Sequence, residues 1–500
     1  MDYEQGRKRL EEERLWVEKK GSQKLLERHR KKGKYHVSER IDRLVDPGTW
    51  LEYGQFARSI EPGYEERSQR DAIMTGLGKI HEQTVAVMGD DITVLGGTQS
   101  FVTLRKSNRL IEIALKNNFP IISFSEGGGG RVPDAIGAGF TRLLGLHVHY
   151  AINSLANWEI RPLFICCAFG YCYGDPAFRA GMADITIMVE DSGVAVSGPP
   201  LLEVAISEKI SDRELGGPQM HRAETGLVDI IVKTEDECIE AVRNILHILR
   251  PPEVPSDPTD RLVPSLESIV PYDNRRVYDM RKVVKEICDN GEWLELKSGF
   301  GRGILVGLGR IGGQVVGILA NQPMSAGGAV DAKGLRKSAA FLSFVNKRNI
   351  PLLVIQDVPG FLIGSHVERD GMVNEIANHT KALDQVDVPM VTIVIRKSYG
   401  VAYYFMGCGA SGAQYLAAWP NADISFMAPE MGAGILTKHV DPEKKEEAMK
   451  KTAADIERNA SVWDSAYEFW LDDIISPEET RKVICHAFKL LATNAPGPLA

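Results

Sequence analysis

The sequence predicts an α/β protein built from two duplicated domains, and three observations carry that expectation. Short apolar runs alternate with helical stretches, a proline-rich run interrupts them after Arg250, and the text on either side of that run aligns at a constant offset. Alternation of this kind is the signature of helices packed on a mostly parallel sheet.

In chain order, residues 4–32 are rich in Glu, Lys, Arg and Leu and read as a solvated helix packing through Leu10, Trp16 and Leu25. The runs TVAVMG (84–89), FPIISFS (119–125) and RPLFICCAFG (161–170) read as buried strands, with helical text at 107–117 and 139–156 between them. The proline-rich run can neither continue a helix nor sit in a central strand. It sets the expected boundary: an N-terminal domain over 1–255, a linker over 256–275 and a C-terminal domain over 276–500. Beyond it the alternation resumes with RIGGQVVGILA (310–320), AAFLSFVNKR (339–348), IPLLVIQDVPG (350–360) and VPMVTIVIRKSYG (388–400).

The resumption is a repeat. GLGKIHEQTVAVMGDDITVLGGT from Gly76 aligns without a gap on GLGRIGGQVVGILANQPMSAGGA from Gly307, an offset of 231 residues. The same register pairs Pro120 with Pro351 and Glu126 with Asp357, which marks the halves as copies of one unit.

Composition bounds the function. A hydrophobic fraction of 44% fits a soluble globular protein, and a net charge of −8 argues against nucleic acid or an anionic membrane as the main partner. The basic run RHRKKGK (28–34) is the exception and reads as a solvated helix face. Seven cysteines without a CxxC pair read as reduced core residues of a cytoplasmic chain, with no zinc or disulfide framework. No apolar run is long enough to span a bilayer.

Chemistry is expected where strands end on glycine. SEGGGGRVPD (125–134) closes one strand, and DVPGF, Asp357 to Phe361, holds the matching place in the second half. Glycine there lets backbone N–H groups approach a ligand that a Cβ would obstruct. Two ligand classes exploit this, phosphates and the oxyanion of a thioester enolate or tetrahedral intermediate; a flexible turn is the third reading. The spacing matches neither GxxxxGK[ST] nor GxGxxG, which disfavours a nucleotide. A second glycine-bearing strand end follows in each half, YCYGDPAF and RKSYGVAY, so each half offers two turns that can aim N–H groups at one oxygen.

At these residues the chain resembles the carboxyltransferase (β) subunits of biotin-dependent acyl-CoA carboxylases, a two-domain branch of the crotonase superfamily. GKYHVSERIDRLVDPGTWLE, GDDITVLGGT, SEGGGGRVPD, SGPPLLEVA, ELGGPQMH, AGGAVDAKGLRKSAAFL, IPLLVIQDVPGFLIG and RKSYGVAY occur in that family's order. The resemblance implies two crotonase-like ββα spiral domains, with acyl-CoA on the N-terminal one and carboxybiotin on the C-terminal one of another subunit. It further implies carboxyl transfer to or from a short-chain acyl-CoA without a protein general base. Carried over by position, backbone donors lie around Gly129, Gly130, Gly174 and Asp175 in the first half, and around Gly360, Phe361, Gly400 and Val401 in the second. Biotin comes on a separate carrier, since no Met-Lys-Met occurs, and the implied partners are that carrier, a biotin carboxylase and further copies of this chain in a homo-hexamer, a trimer of dimers.

Asp175 and Val401 depart from the family's Gly-Gly pairs. A carboxylate about 4 Å from a developing oxyanion repels it by roughly 4 kcal/mol at an effective dielectric of about 20. Either Arg179, one helical turn on, pairs with Asp175 and turns it away, or Asp175 itself acts as an acid or base. Tyr404 suggests a short or polar acyl group, or else is a core tyrosine. Lys106 is a candidate contact for CoA phosphates, and Arg131 pairs either with Glu126 or with a substrate anion. His147 and His149 read as structural, and His221 falls where the family also has a histidine. Two rivals stay open: an acyl-CoA decarboxylase subunit or a biotin-independent thioester enzyme using Asp175, and a non-catalytic scaffold with altered holes.

Overall fold

The computed structural model describes residues 2–146, 162–250 and 254–491. The chain divides between His247 and Ile248 into two units, each with its own eight-stranded sheet.

The first unit opens with two helices, Tyr3–Glu18 and Gln23–Lys31, where one was expected. The break is at Gly21, whose Cβ would lie 2.4 Å from the Thr93 carbonyl oxygen. Rotation after the break buries Leu26, not Leu25, and Leu10 stays exposed.

Its sheet runs β1 (Leu51–Tyr53), β2 (Ile73–Ile80), β3 (Gln83–Asp90), β4 (Ile121–Gly127), β5 (Phe164–Tyr173), β6 (Ile185–Val189) and β8 (Ile230–Val232), with β7 (Gly193–Ala195) pairing beside β5. β1 to β3 are antiparallel and the rest parallel. The β2–β3 hairpin turns on His81 and Glu82, both with positive φ, the two-residue turn whose twist matches the strands. Ile73, Met88, Ile121 and Phe164 pack with Leu110, Ile111 and Ala114 of the Phe101–Asn117 helix into one core.

The second unit repeats this order with β9 (Trp293–Leu296), β10 (Ile304–Ile311), β11 (Gln314–Asn321), β12 (Leu352–Val358), β13 (Met390–Tyr399), β14 (Tyr415–Ala418) and β16 (Asp473–Ile474), and β15 (Asp423–Ser425) beside β13. Here Gly312 and Gly313 take the positive-φ turn positions, 231 residues after His81 and Glu82. Val263, Leu266 and Val270 of the proline-rich segment are buried in this unit's core beside Ile318, Leu353 and Ile393. All seven cysteines are unpaired and buried. Among the described residues no helix is long and apolar enough to cross a membrane.

Neighbouring parallel strands end at the same sheet edge. In each unit this places the first glycine loop, after β4 or β12, beside the second, after β5 or β13.

Candidate active site

In the first unit the loop after β4 is fixed by its backbone. The Gln99 N–H donates to the Gly129 carbonyl at 2.7 Å, and the Arg131 N–H donates to the Gln99 carbonyl at 2.7 Å. That grip leaves the Gly129 and Gly130 N–H groups without an acceptor among the described residues. Gly129 has φ +79°, and a Cβ on it would lie 2.9 Å from the Tyr173 carbonyl oxygen, so the two loops touch through their main chains.

The second unit reproduces the arrangement at the same offset. Val330 donates to the Gly360 carbonyl at 3.2 Å and Leu362 to the Val330 carbonyl at 2.8 Å, which leaves the Gly360 and Phe361 N–H groups unengaged among the described residues. Gly360, at φ +127°, faces the Tyr399 carbonyl as Gly129 faces that of Tyr173. Two unengaged amides side by side, at the end of a buried parallel strand, are donors of the kind that can stabilise negative charge on an oxygen.

The second loops correct part of the expectation. The Gly174 N–H donates to the Val196 carbonyl at 3.1 Å and the Gly400 N–H to the Ser425 carbonyl at 2.9 Å, because strands β7 and β15 run alongside and capture them. Neither glycine is an available donor. Val401, next in line, is 57% exposed, and its N–H has no acceptor among the described residues.

Asp175 begins the Asp175–Met182 helix, and its carboxylate lies 3.2 Å from Nε of Arg179. Arg179 is buried and also donates to Asp90 at 2.6 Å and to the Ser123 hydroxyl at 2.8 Å. Its guanidinium is therefore consumed within the protein and does not reach substrate. Burial pushes the Asp90 carboxyl up to about 6 against the attraction of Arg179, and the charge of Asp175 adds to the rise. Asp90 accepts the Glu126 N–H at 3.2 Å, and Asn321 accepts the Asp357 N–H at 3.2 Å in the second unit. The backbone task is thus met by a neutral side chain in the second unit, and the charge at Asp90 answers Arg179.

Two further substrate contacts are overturned by burial. The Lys106 ammonium turns inward to the carbonyls of Arg70, at 2.8 Å, and Ile73, at 2.5 Å. Arg131 pairs with neither Glu126 nor solvent: it donates to Asp71 at 2.7 Å and to the Thr98 carbonyl at 3.0 Å, and is 3% exposed. His221 is held through both ring nitrogens, by Thr225 Oγ1 and the Val194 carbonyl, each at 2.8 Å. Burial lowers its pKa, and the residue is structural. His147 and His149 lie outside the described residues. Tyr404 is 38% exposed on the short Ala402–Phe405 helix, edge-on to Phe405, and is not a core residue.

Sequence reasoning missed the charges behind the loops. Glu126 closes β4 and is buried against Arg40 at 2.8 Å, with His29 at 3.6 Å and Lys34 at 3.8 Å. The basic run 28–34 therefore sends two residues inward instead of forming only a solvated face. Burial opposes ionisation of Glu126, but Arg40, Lys34 and His29 together hold its pKa below the ordinary range. In the second unit Asp357 is fully buried with Lys397 at 2.8 Å, Arg396 at 3.0 Å and the Tyr278 hydroxyl at 2.8 Å. Each carboxylate is neutralised, so neither opposes negative charge at the adjacent amides. The pairing of Glu126 with Asp357 in the repeat was the available signal.

The sequence pattern of the family described as Carboxyl transferase domain matches residues 28–498. A putative propionyl-CoA carboxylase beta chain of Bacillus subtilis is 34% identical over 489 residues, covering 96% of this chain and 94% of the relative. The methylmalonyl-CoA decarboxylase subunit alpha of Veillonella parvula is 30% identical, with 97% and 95% covered. Among solved structures, transcarboxylase 12S, a hexamer with methylmalonyl-coenzyme A and methylmalonic acid bound, superposes with a TM-score of 0.89 at 27% identity, covering 99% of this chain and 97% of that one.

Proposed function

The chain belongs to the carboxyl transferase domain family, and from that premise we propose that it moves a carboxyl group between carboxybiotin and a short-chain acyl-CoA through backbone oxyanion holes. The observation that carries the reading is the duplicated pair of unengaged amides, Gly129 with Gly130 and Gly360 with Phe361. In the first unit they hold the thioester oxygen as the enolate forms. In the second, Gly360, Phe361 and Val401 hold the ureido oxygen of biotin. The residues present fit both tasks, since the carboxylates beside the loops are matched by cations and leave the amides as the nearest uncompensated dipoles.

Carboxybiotin supplies the carboxyl group from a separate carrier. Propionyl- or methylmalonyl-CoA is the preferred acyl pair, by similarity to the relatives above, with Tyr404 limiting chain length. The exposed apolar residues beside the loops, among them Val132, Ile136, Val204, Ile363 and Phe426, suit burial against further copies in a homo-hexamer. A cytoplasmic location completes the reading, supported by seven unpaired cysteines.

One rival keeps support: a decarboxylase α subunit lies nearly as close in sequence as a carboxylase β chain. The test is carboxyl transfer from a biotinylated carrier to a panel of acyl-CoAs, in both directions. Absence of transfer in either direction with intact CoA binding would sink the proposal. With Arg179 compensating its charge, Asp175→Asn should change kcat less than about tenfold. A loss above about 100-fold, in a reaction that needs no biotin, identifies Asp175 as an acid or base instead.

A further inference from the structure

The helix that follows the second glycine loop is braced to the first loop in both units, by different chemistry. In the first unit Arg179, on the Asp175–Met182 helix, donates through Nη1 to the Ser123 hydroxyl of β4 at 2.8 Å. Through Nη2 it donates to Asp90, the last residue of β3, at 2.6 Å. Asp90 in turn accepts the Glu126 N–H and the Gln99 side chain, each at 3.2 Å, and Gln99 is the residue whose backbone grips Gly129 and Arg131. On the other side Asp175, which directly follows Gly174, lies 3.2 Å from Nε of the same guanidinium. One arginine, 4% exposed, thus meets both loops from behind.

The second unit keeps the brace without the charges. Counted from the paired glycines Gly174 and Gly400, Asp175 and Arg179 become Val401 and Phe405, and Asp90 becomes Asn321 in the register of the strands. Phe405 is buried, and its ring lies 5.3 Å from that of Phe361, a residue of the first loop. The residue aligned with Phe361 is Gly130, which offers no ring to pack on. Where the loop has no ring, the brace runs through polar groups behind it.

We propose that Arg179 is a positioning residue that holds the first glycine loop against the second and so aims the Gly129 and Gly130 amides at the substrate oxygen. The assignment deepens the carboxyl-transfer reading and rests on it for the reaction. A guanidinium fork fixes direction as well as distance, which an apolar side chain with nothing to pack on does not. Asp90 is the joint of the brace. Burial raises its carboxyl to about 6, so it takes up a proton as pH falls through that value and its attraction for Arg179 is lost. The charged groups beside it are Arg179 and Asp175, both on the helix. From β5 the Cys166 and Cys172 thiols lie near it, kept protonated by burial, and from β4 Glu126 offers its N–H while its carboxylate turns to Arg40.

Hydrogen exchange of the Gln99 and Arg131 amides in the full-length protein tests the brace, because their bonds form the grip on the loop and their protection does not depend on turnover. The variant is Arg179→Met with Asp90→Asn, in which asparagine keeps an acceptor for the Glu126 N–H, as Asn321 does for Asp357, and no charge is stranded at position 90. Protection of both amides should fall about tenfold, while the Val330 and Leu362 amides of the second unit keep theirs. In the same variant kcat for carboxyl transfer should fall about 10- to 100-fold with KM for the acyl-CoA within about twofold, the result of misplaced reacting groups. Arg179→Lys keeps the charge without the fork and should lie between the wild type and the double variant. In the wild type, protection should fall about threefold or more from pH 8 to pH 5, a response that the double variant lacks. Unchanged protection in the double variant, or in Arg179→Lys where the double variant does not fold, overturns the brace. Unchanged protection of the wild type across the pH range overturns Asp90 as its joint. A loss of kcat/KM carried by KM alone makes Arg179 a substrate contact and overturns the positioning role. Absence of carboxyl transfer in the wild type counts against the reaction alone and leaves the exchange result to decide the brace.

Discussion

Gly129→Ala is expected to lower kcat for carboxyl transfer by about 10²- to 10³-fold, with little change in KM for the acyl-CoA. Two effects act on the same main chain. The backbone at φ +79° is one that a side chain disfavours, and the new Cβ would sit 2.9 Å from the Tyr173 carbonyl oxygen, closer than carbon and oxygen tolerate. The loop must shift by a few tenths of an ångström, and the Gly129 and Gly130 amides shift with it. Their aim at the oxyanion matters only once charge develops, so the loss falls on the transition state and not on thioester binding. Gly48→Ala is the control: its φ is +76° and no atom lies within 4 Å of its built Cβ, so it carries the strain without touching a loop. Steady-state kinetics of the two variants, with transfer reduced in the first and retained in the second, check the assignment. An unaltered kcat in Gly129→Ala would remove these amides from the chemistry.

The second large effect is on stability. Arg40 donates twice to Glu235, at 2.9 and 2.7 Å, and once to Glu126 at 2.8 Å, and its guanidinium lies 4.5 Å from the Phe169 ring centroid. It is 1% exposed, as deep as the aliphatic Ile41 beside it. Arg40→Met keeps most of the volume but strands two buried carboxylates. Breaking a buried pair from one side costs about 3–5 kcal/mol, because the remaining charge has no water to turn to. Urea unfolding at pH 7 should show the transition of the first unit moved to lower denaturant, with that of the second unit in place. Acidification should narrow the gap. Glu126 is held below its ordinary pKa, so its pairing stabilises the protein above the unfolded carboxyl range and is lost as pH falls through the folded value. A shift under about 1 kcal/mol would mean that Lys34 and His29 suffice to hold Glu126.

Much of the architecture was legible because it is written in local backbone chemistry. Alternating apolar runs specify strands and helices, and the 231-residue register carries through to bonds: the bridge of Gln99 to Gly130 recurs as that of Val330 to Phe361. The same register exposes the status of Lys106, whose counterpart Lys337 sits in the same LRKS tetrapeptide and points to the same carbonyl, Ile73 in one unit and Ile304 in the other. A lone lysine on a helix reads as surface, and only the depth of its helix against β2 makes it a strut.

The sequence by itself determined the duplicated fold, the glycine-ended strands and the family, since each depends on residue types at short or constant spacing. Tertiary structure alone decided which amides are open and which side chains are spent. Gly174 and Gly400 lose their N–H groups to strands that return beside β5 and β13. Arg131 and Arg179 are claimed by Asp71 and Asp90, at separations of 60 and 89 residues, and Arg40 by Glu235 at 195. Charges attract over a few ångströms in space, and no spacing along the chain records which of them will be brought that close once water is excluded.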